Sequence, residues 1–130
     1  TYIFEFTTSD SGTVIHVEEL SRPRNSFDNP IFLGSSEDVA NAGAISLTTA
    51  ASHFSTGGAE TATLAAGADG QVKTLMMAAD GGDMVVTVTN AGWKTTGTGT
   101  ITFGDIGDAC TLQYINSKWY AVGVNGIAFG

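Results

Sequence analysis

Polar and apolar side chains alternate with a period of two along several short stretches of the chain. The clearest are Asp83-Met84-Val85-Val86-Thr87-Val88-Thr89, Thr100-Ile101-Thr102-Phe103 and Ala109-Cys110-Thr111-Leu112-Gln113-Tyr114-Ile115. Successive strand residues point to opposite faces, so this pattern predicts strands with one buried and one wet side. Similar runs predict strands over 44–49, 60–64, 71–78, 118–124 and 127–129. Asn116-Ser117 joins two runs as a two-residue hairpin turn, because asparagine tolerates the positive φ of a primed turn. Ser35-Ser36-Glu37-Asp38, with serine as cap and acids at the positive end of the dipole, predicts a single helical turn stopped by Gly43. Many short strands at even spacing and no long helical pattern predict an all-β fold: a compact sandwich, jelly roll or small barrel of short antiparallel strands.

Two regions differ in texture. Residues 1–57 hold both prolines and both histidines, and residues 58–130 are punctuated densely by glycine. The second region is read as a compact β module, and Gly57-Gly58 as a flexible break within what remains one structural domain. In the first, Tyr2, Phe4 and Phe6 share one face of a predicted strand, turned by Ser9-Asp10-Ser11-Gly12 into a second strand over 13–18. Pro23 and Pro30 then argue for an extended arm, since proline cannot donate to a sheet ladder. Arg22 and Arg24 flank Pro23 as a positive spot suited to an acidic surface, and Ile31, Phe32 and Leu33 form an apolar peg. An extended N-terminal arm bearing aromatic and aliphatic pegs predicts contacts with a neighbouring molecule.

Charge narrows the classes of partner. The formal net charge is −8, and the five basic residues are scattered, so phosphate backbones and anionic lipid surfaces are repelled. No apolar run reaches the ~18 residues of a membrane-spanning helix. Hydrophobic residues make up 42% and charged residues 14% of the chain, against about 25% charged in ordinary soluble domains. A strand-rich surface with so little charge points to self-assembly. Cys110 is the single cysteine and falls on a strand, where a small buried hydrophobe is the expected role.

Little in the chain carries chemistry. His16 and His53 lack ligand spacing, and no metal or cofactor is expected. Asp80-Gly81-Gly82-Asp83 and Gly104-Asp105-Ile106-Gly107-Asp108 each place two carboxylates in one loop, fewer than the six to eight oxygens of a calcium site, and read as turns. No nucleophile elbow, zinc-protease helix or phosphate-binding loop occurs, so an enzyme is not expected. Trp119 is expected to pack on the core, and Trp93, in the loop Gly92-Trp93-Lys94, is the candidate for ligand contact.

The runs Gly70-Gln71-Val72-Lys73, Asp80-Gly81-Gly82-Asp83, Phe103-Gly104-Asp105 and Leu112-Gln113-Tyr114-Ile115-Asn116-Ser117-Lys118-Trp119 are similar to a small β module found in virion structural proteins of environmental and marine tailed bacteriophages. The resemblance covers roughly residues 60–130. Ser117 stands where glycine is commoner in that hairpin. The resemblance implies a non-enzymatic, oligomeric virion component. The resulting expectation is a homotrimeric capsid decoration (cement) protein on the capsid surface, partnered by itself and the major capsid protein. Its contacts would run through Tyr2, Phe4, Phe6, Arg22, Pro23, Arg24, Pro30, Ile31, Phe32 and Leu33. The alternative is a tail-fibre or spike knob that uses Trp93 to engage host glycans.

Overall fold

A computed structural model describes residues 32–130. Ten strands follow one another: β1 (Ser36–Asp38), β2 (Gly43–Ala44), β3 (Ala51–Ser55), β4 (Glu60–Leu64), β5 (Val72–Ala79), β6 (Met84–Val88), β7 (Gly99–Phe103), β8 (Ala109–Ile115), β9 (Lys118–Asn125) and β10 (Ala128–Phe129). The all-β expectation is met. The helical turn expected at residues 35–40 is instead β1. The strand expected over 44–49 shortens to β2, and β3 is an element the periodicity did not announce. The predicted strands over 2–6 and 13–18 and the arm up to Ile31 lie outside the described residues.

The strands form two five-stranded sheets, in the orders β1-β3-β5-β8-β9 and β10-β7-β6-β4-β2. They are layered about one shared core and do not close into a barrel, so the sandwich is the expected alternative that fits. The strands were expected to be antiparallel, and half of the ladders are not. β1–β3, β3–β5, β2–β4 and β4–β6 run parallel. The reason is visible in the order of elements. From β1 to β6 the chain changes sheet at every step, coiling like a flattened solenoid, so a strand's neighbour lies one full turn away and points the same way. Only from β6 onward do β6–β7, β5–β8, β8–β9 and β7–β10 pair antiparallel.

Three stacked arches carry the chain from the first sheet to the second: residues 39–42, 56–59 and 80–83. Their glycines are there for close approach. Thr56 Oγ1 accepts from Gly81 N at 3.0 Å and donates to Gly82 O at 2.6 Å, and a Cβ on Gly82 would lie 2.5 Å from the Gly58 carbonyl carbon. Gly57-Gly58 is therefore one layer of this stack, inside the compact unit Leu33–Gly130. Glycine-aspartate arches carry the same residues as hairpin turns, and for that reason the alternating runs look antiparallel from sequence.

Inward-facing residues obey the predicted alternation. Met84, Val86 and Val88 of β6 are buried, as are Cys110, Leu112 and Tyr114 of β8, Leu75 and Met77 of β5, and Ile101 and Phe103 of β7. The two sheets touch through Phe54 of β3 and Phe103 of β7, whose ring centroids are 5.1 Å apart at 58°. Trp119 is wholly buried, meets Tyr114 edge-on at 5.0 Å, and donates from Nε1 to Ala65 O at 2.9 Å. The β8–β9 hairpin turns at Asn116 and Ser117, with φ of 53° and 62°, which is the predicted primed turn. Phe103→Ala, by opening a cavity between the sheets, is expected to cost about 3–5 kcal/mol in urea-monitored unfolding. A loss below 1 kcal/mol would mean the sheets are not held there.

Candidate functional site

Of the contact residues named from sequence, Tyr2, Phe4, Phe6, Arg22, Pro23, Arg24, Pro30 and Ile31 lie outside the described residues. Phe32 and Leu33 are 85% and 73% exposed. Trp93 is a packed residue rather than a free platform. It is half-buried, stacks at 4.7 Å on Phe129, and its Nε1 donates to Gly130 O at 3.1 Å. The indole thereby fastens Phe129 and Gly130 to the loop after β6.

The aspartate loops are turns. Asp108 turns one carboxylate oxygen to the amides of Gly104 and Asp105, at 2.8 and 3.1 Å, and Asp80 accepts from Gly82 N at 2.9 Å. Each carboxylate thus closes its own loop. Among the described residues no three His, Cys, Asp or Glu side chains cluster for a metal ion. His53 faces Asp38 across β1 and β3 at 3.8 Å, beside a shallow groove of about 340 Å³ lined mainly by Ala51, Met76 and Ala78.

Among the described residues Lys73, on the inner side of β5, is a fully buried cation. Its ammonium donates to Thr49 O and Thr49 Oγ1, both at 2.8 Å. Thr49 Oγ1 donates onward to Glu37 at 3.1 Å, and Glu37 also accepts from Ser46 N at 3.0 Å. This relay ties β1, the loop before β3 and β5 into one polar knot. Burial pushes the Lys73 amine below its ordinary 10.5, and the nearby Glu37 carboxylate pulls in the opposite direction. Cys110 is buried as expected, and burial pushes its thiol up to about 12. Lys73 falls in the alternating run over 71–78, but its inward position followed only from the register of β5, and its partners come from residues far away in sequence.

The two outer faces differ in chemistry. On the second sheet Thr61, Thr63, Thr87, Thr100 and Thr102 face outward, a hydroxylated and easily wetted surface. On the first sheet four exposed apolar residues, Val72, Met76, Ile115 and Tyr120, face outward on the adjacent strands β5, β8 and β9, and exposed Val122 lies at the bulge of β9. β3, β5, β8 and β9 contain no Asp or Glu at all, in a chain of net charge −8. Contiguous exposed apolar surface of this kind marks contact sites. The uncharged run Trp119-Tyr120-Ala121-Val122-Gly123-Val124 was a signal for it in the sequence. A β-bulge opposite Thr111 and Leu112 hides that run from period-2 reading. Compared with known proteins, the chain matches no family model, and no curated protein matches it.

The Lys73 relay makes a prediction about pH. Between the lowered folded value and 10.5 the unfolded chain holds a proton that the folded chain has released, so the wild type gains stability as pH rises through that window. Lys73→Met lacks this slope. Cys110, raised from 9.0 to about 12, gives the opposite slope from 9.0 upward, but in both proteins, and cancels in the comparison. Urea unfolding from pH 7 to 10.5 is expected to show the wild type gaining on the variant with pH, and a constant difference would contradict the buried ammonium.

Proposed function

We propose that this chain is a non-enzymatic structural protein of a bacteriophage virion, a capsid decoration (cement) protein that stabilises the head through intersubunit contacts on the capsid surface. The observation that carries the reading is the contrast of faces. A rigid two-layer body turns polar threonines outward on one side and an acid-free apolar surface on the other, the chemistry of a protein that works by being covered. The resemblance of residues 60–130 to phage virion modules supplies the setting. The partners in this reading are further copies of the chain, as a homotrimer, and the major capsid protein.

The arm residues Tyr2, Phe4, Phe6, Arg22, Pro23, Arg24, Pro30, Ile31, Phe32 and Leu33 bridge neighbours in this account. Burying several such side chains at about 1.5–3 kcal/mol each offsets the entropy of ordering an extended segment. Antibody labelling and quantitative mass spectrometry of purified particles test the location. Decoration predicts hundreds of copies spread over the shell. A handful confined to the tail would replace this reading with the receptor-binding knob. Deleting residues 1–33 is expected to abolish coating of empty shells, and a truncated protein that coats them as well as the full chain would remove the arm from the account.

A further inference from the structure

We propose that the outer face of the first sheet, built by β5, β8 and β9, docks a second copy of this chain; the inference rests on the reading above that this face is a contact surface. Three observations select that occupant. The first is charge. Each copy carries −8, and the described carboxylates sit in the loops, on β1 and at Glu60 at the start of β4. Two copies approaching through any carboxylate-bearing part of that surface bring like charges together, which costs several kcal/mol per close pair. The face over β5, β8 and β9 lets two copies meet while their carboxylates stay at the rim, where salt and water screen them.

The second observation is chemistry that self-association uses well. Val72, Met76, Ile115, Tyr120 and Val122 are apolar side chains left partly in water, with Val122, at the bulge of β9, 60% exposed. Beside them Thr74, Ala109, Thr111 and Gly123 floor a shallow depression of about 230 Å³. Protruding and recessed ground thus lie next to each other, so one copy of the surface offers both the knobs and the hollow that a second copy needs.

The third is size. The three strands, about 4.8 Å apart and about 25 Å long, span on the order of 350 Å² in plan before side-chain relief is added, which suits a weak contact between copies rather than the ~800 Å² that each partner contributes to a standard interface. The second sheet is as broad, but its threonines stay solvated, and nothing there gains comparably from being covered.

Gly123 provides a clean test. Its φ is not in the left-handed region, and a Cβ added there meets no atom within 4 Å, so the folded chain accommodates a side chain. Gly123→Arg fills the depression from outside. Val122→Glu, at a site already facing water, places a carboxylate on the acid-free surface of each copy. Sedimentation equilibrium of the full 13.4 kDa chain is expected to show a mass above one copy for the wild type. Both variants are expected to associate about a hundredfold more weakly or worse. The Val122→Glu defect should shrink as salt is raised, with unchanged circular dichroism reporting an intact fold. A wild type that stays at one copy at millimolar concentration overturns the inference, and particle copy number still tests the virion reading. Variants that keep the wild-type mass also overturn it, leaving self-assembly to another surface.

Discussion

Phe54 resting against Phe103 is the contact on which the architecture depends, because it is where a strand of one sheet meets a strand of the other directly. The core is a single layer of side chains between two sheets, and a layer that thin has no second shell to absorb an error. Each strand can bury one face only. The alternation of Met84, Val86 and Val88, or of Cys110, Leu112 and Tyr114, is therefore a requirement of the packing rather than a preference. The same geometry leaves two outer faces, and what those faces carry decides what the molecule can do.

The coil from β1 to β6 adds a second constraint. Parallel neighbours one turn apart can stack only if the arches between sheets nest, and nesting brings Gly81 and Gly82 against the backbone of residues 56–59. Near the opposite end of β5 the Lys73–Thr49–Glu37 relay does comparable work with polar groups. A buried ammonium is costly unless its donors are met. Here the backbone and side chain of Thr49 meet two of them and Glu37 receives the relay, so the polar knot specifies where the loop after β2 must lie.

In the proposed reading, function on this scaffold is a property of surfaces. Asp80 and Asp108, which might have joined a cation site, are spent on closing their own loops, and the indole that might have made a sugar platform is bonded to Gly130. What remains available is the apolar face of β5, β8 and β9 on a strongly acidic molecule. A protein assembled through such a face keeps its charge at the rim and its threonine sheet toward water, an arrangement that suits a component packed side by side with others.

Local chemistry was legible where it is decided locally. Period-2 alternation marked β6, β7 and β8 and their inward residues, Asn116-Ser117 marked the primed turn, and Cys110 and Trp119 were read as core residues from the strands around them. The paired glycines at 57–58 and 81–82 were equally visible but ambiguous, because a flexible joint, a hairpin turn and a tight arch all need the same backbone freedom. β1 looked like a capped helical turn because a serine and two acids favour one in isolation; the parallel ladder to β3 and the inward pull on Glu37 override that preference. By itself the sequence determined that the chain is all-β, which side of β6, β7 and β8 faces inward, and that charge is scarce and acidic. Only the tertiary structure decided that strands coil in parallel between two sheets, that Lys73 is the buried cation, and which outer face is apolar. Each of these depends on pairing between residues one or more turns apart, and period and turn chemistry record a strand's own faces but not the neighbour it will meet.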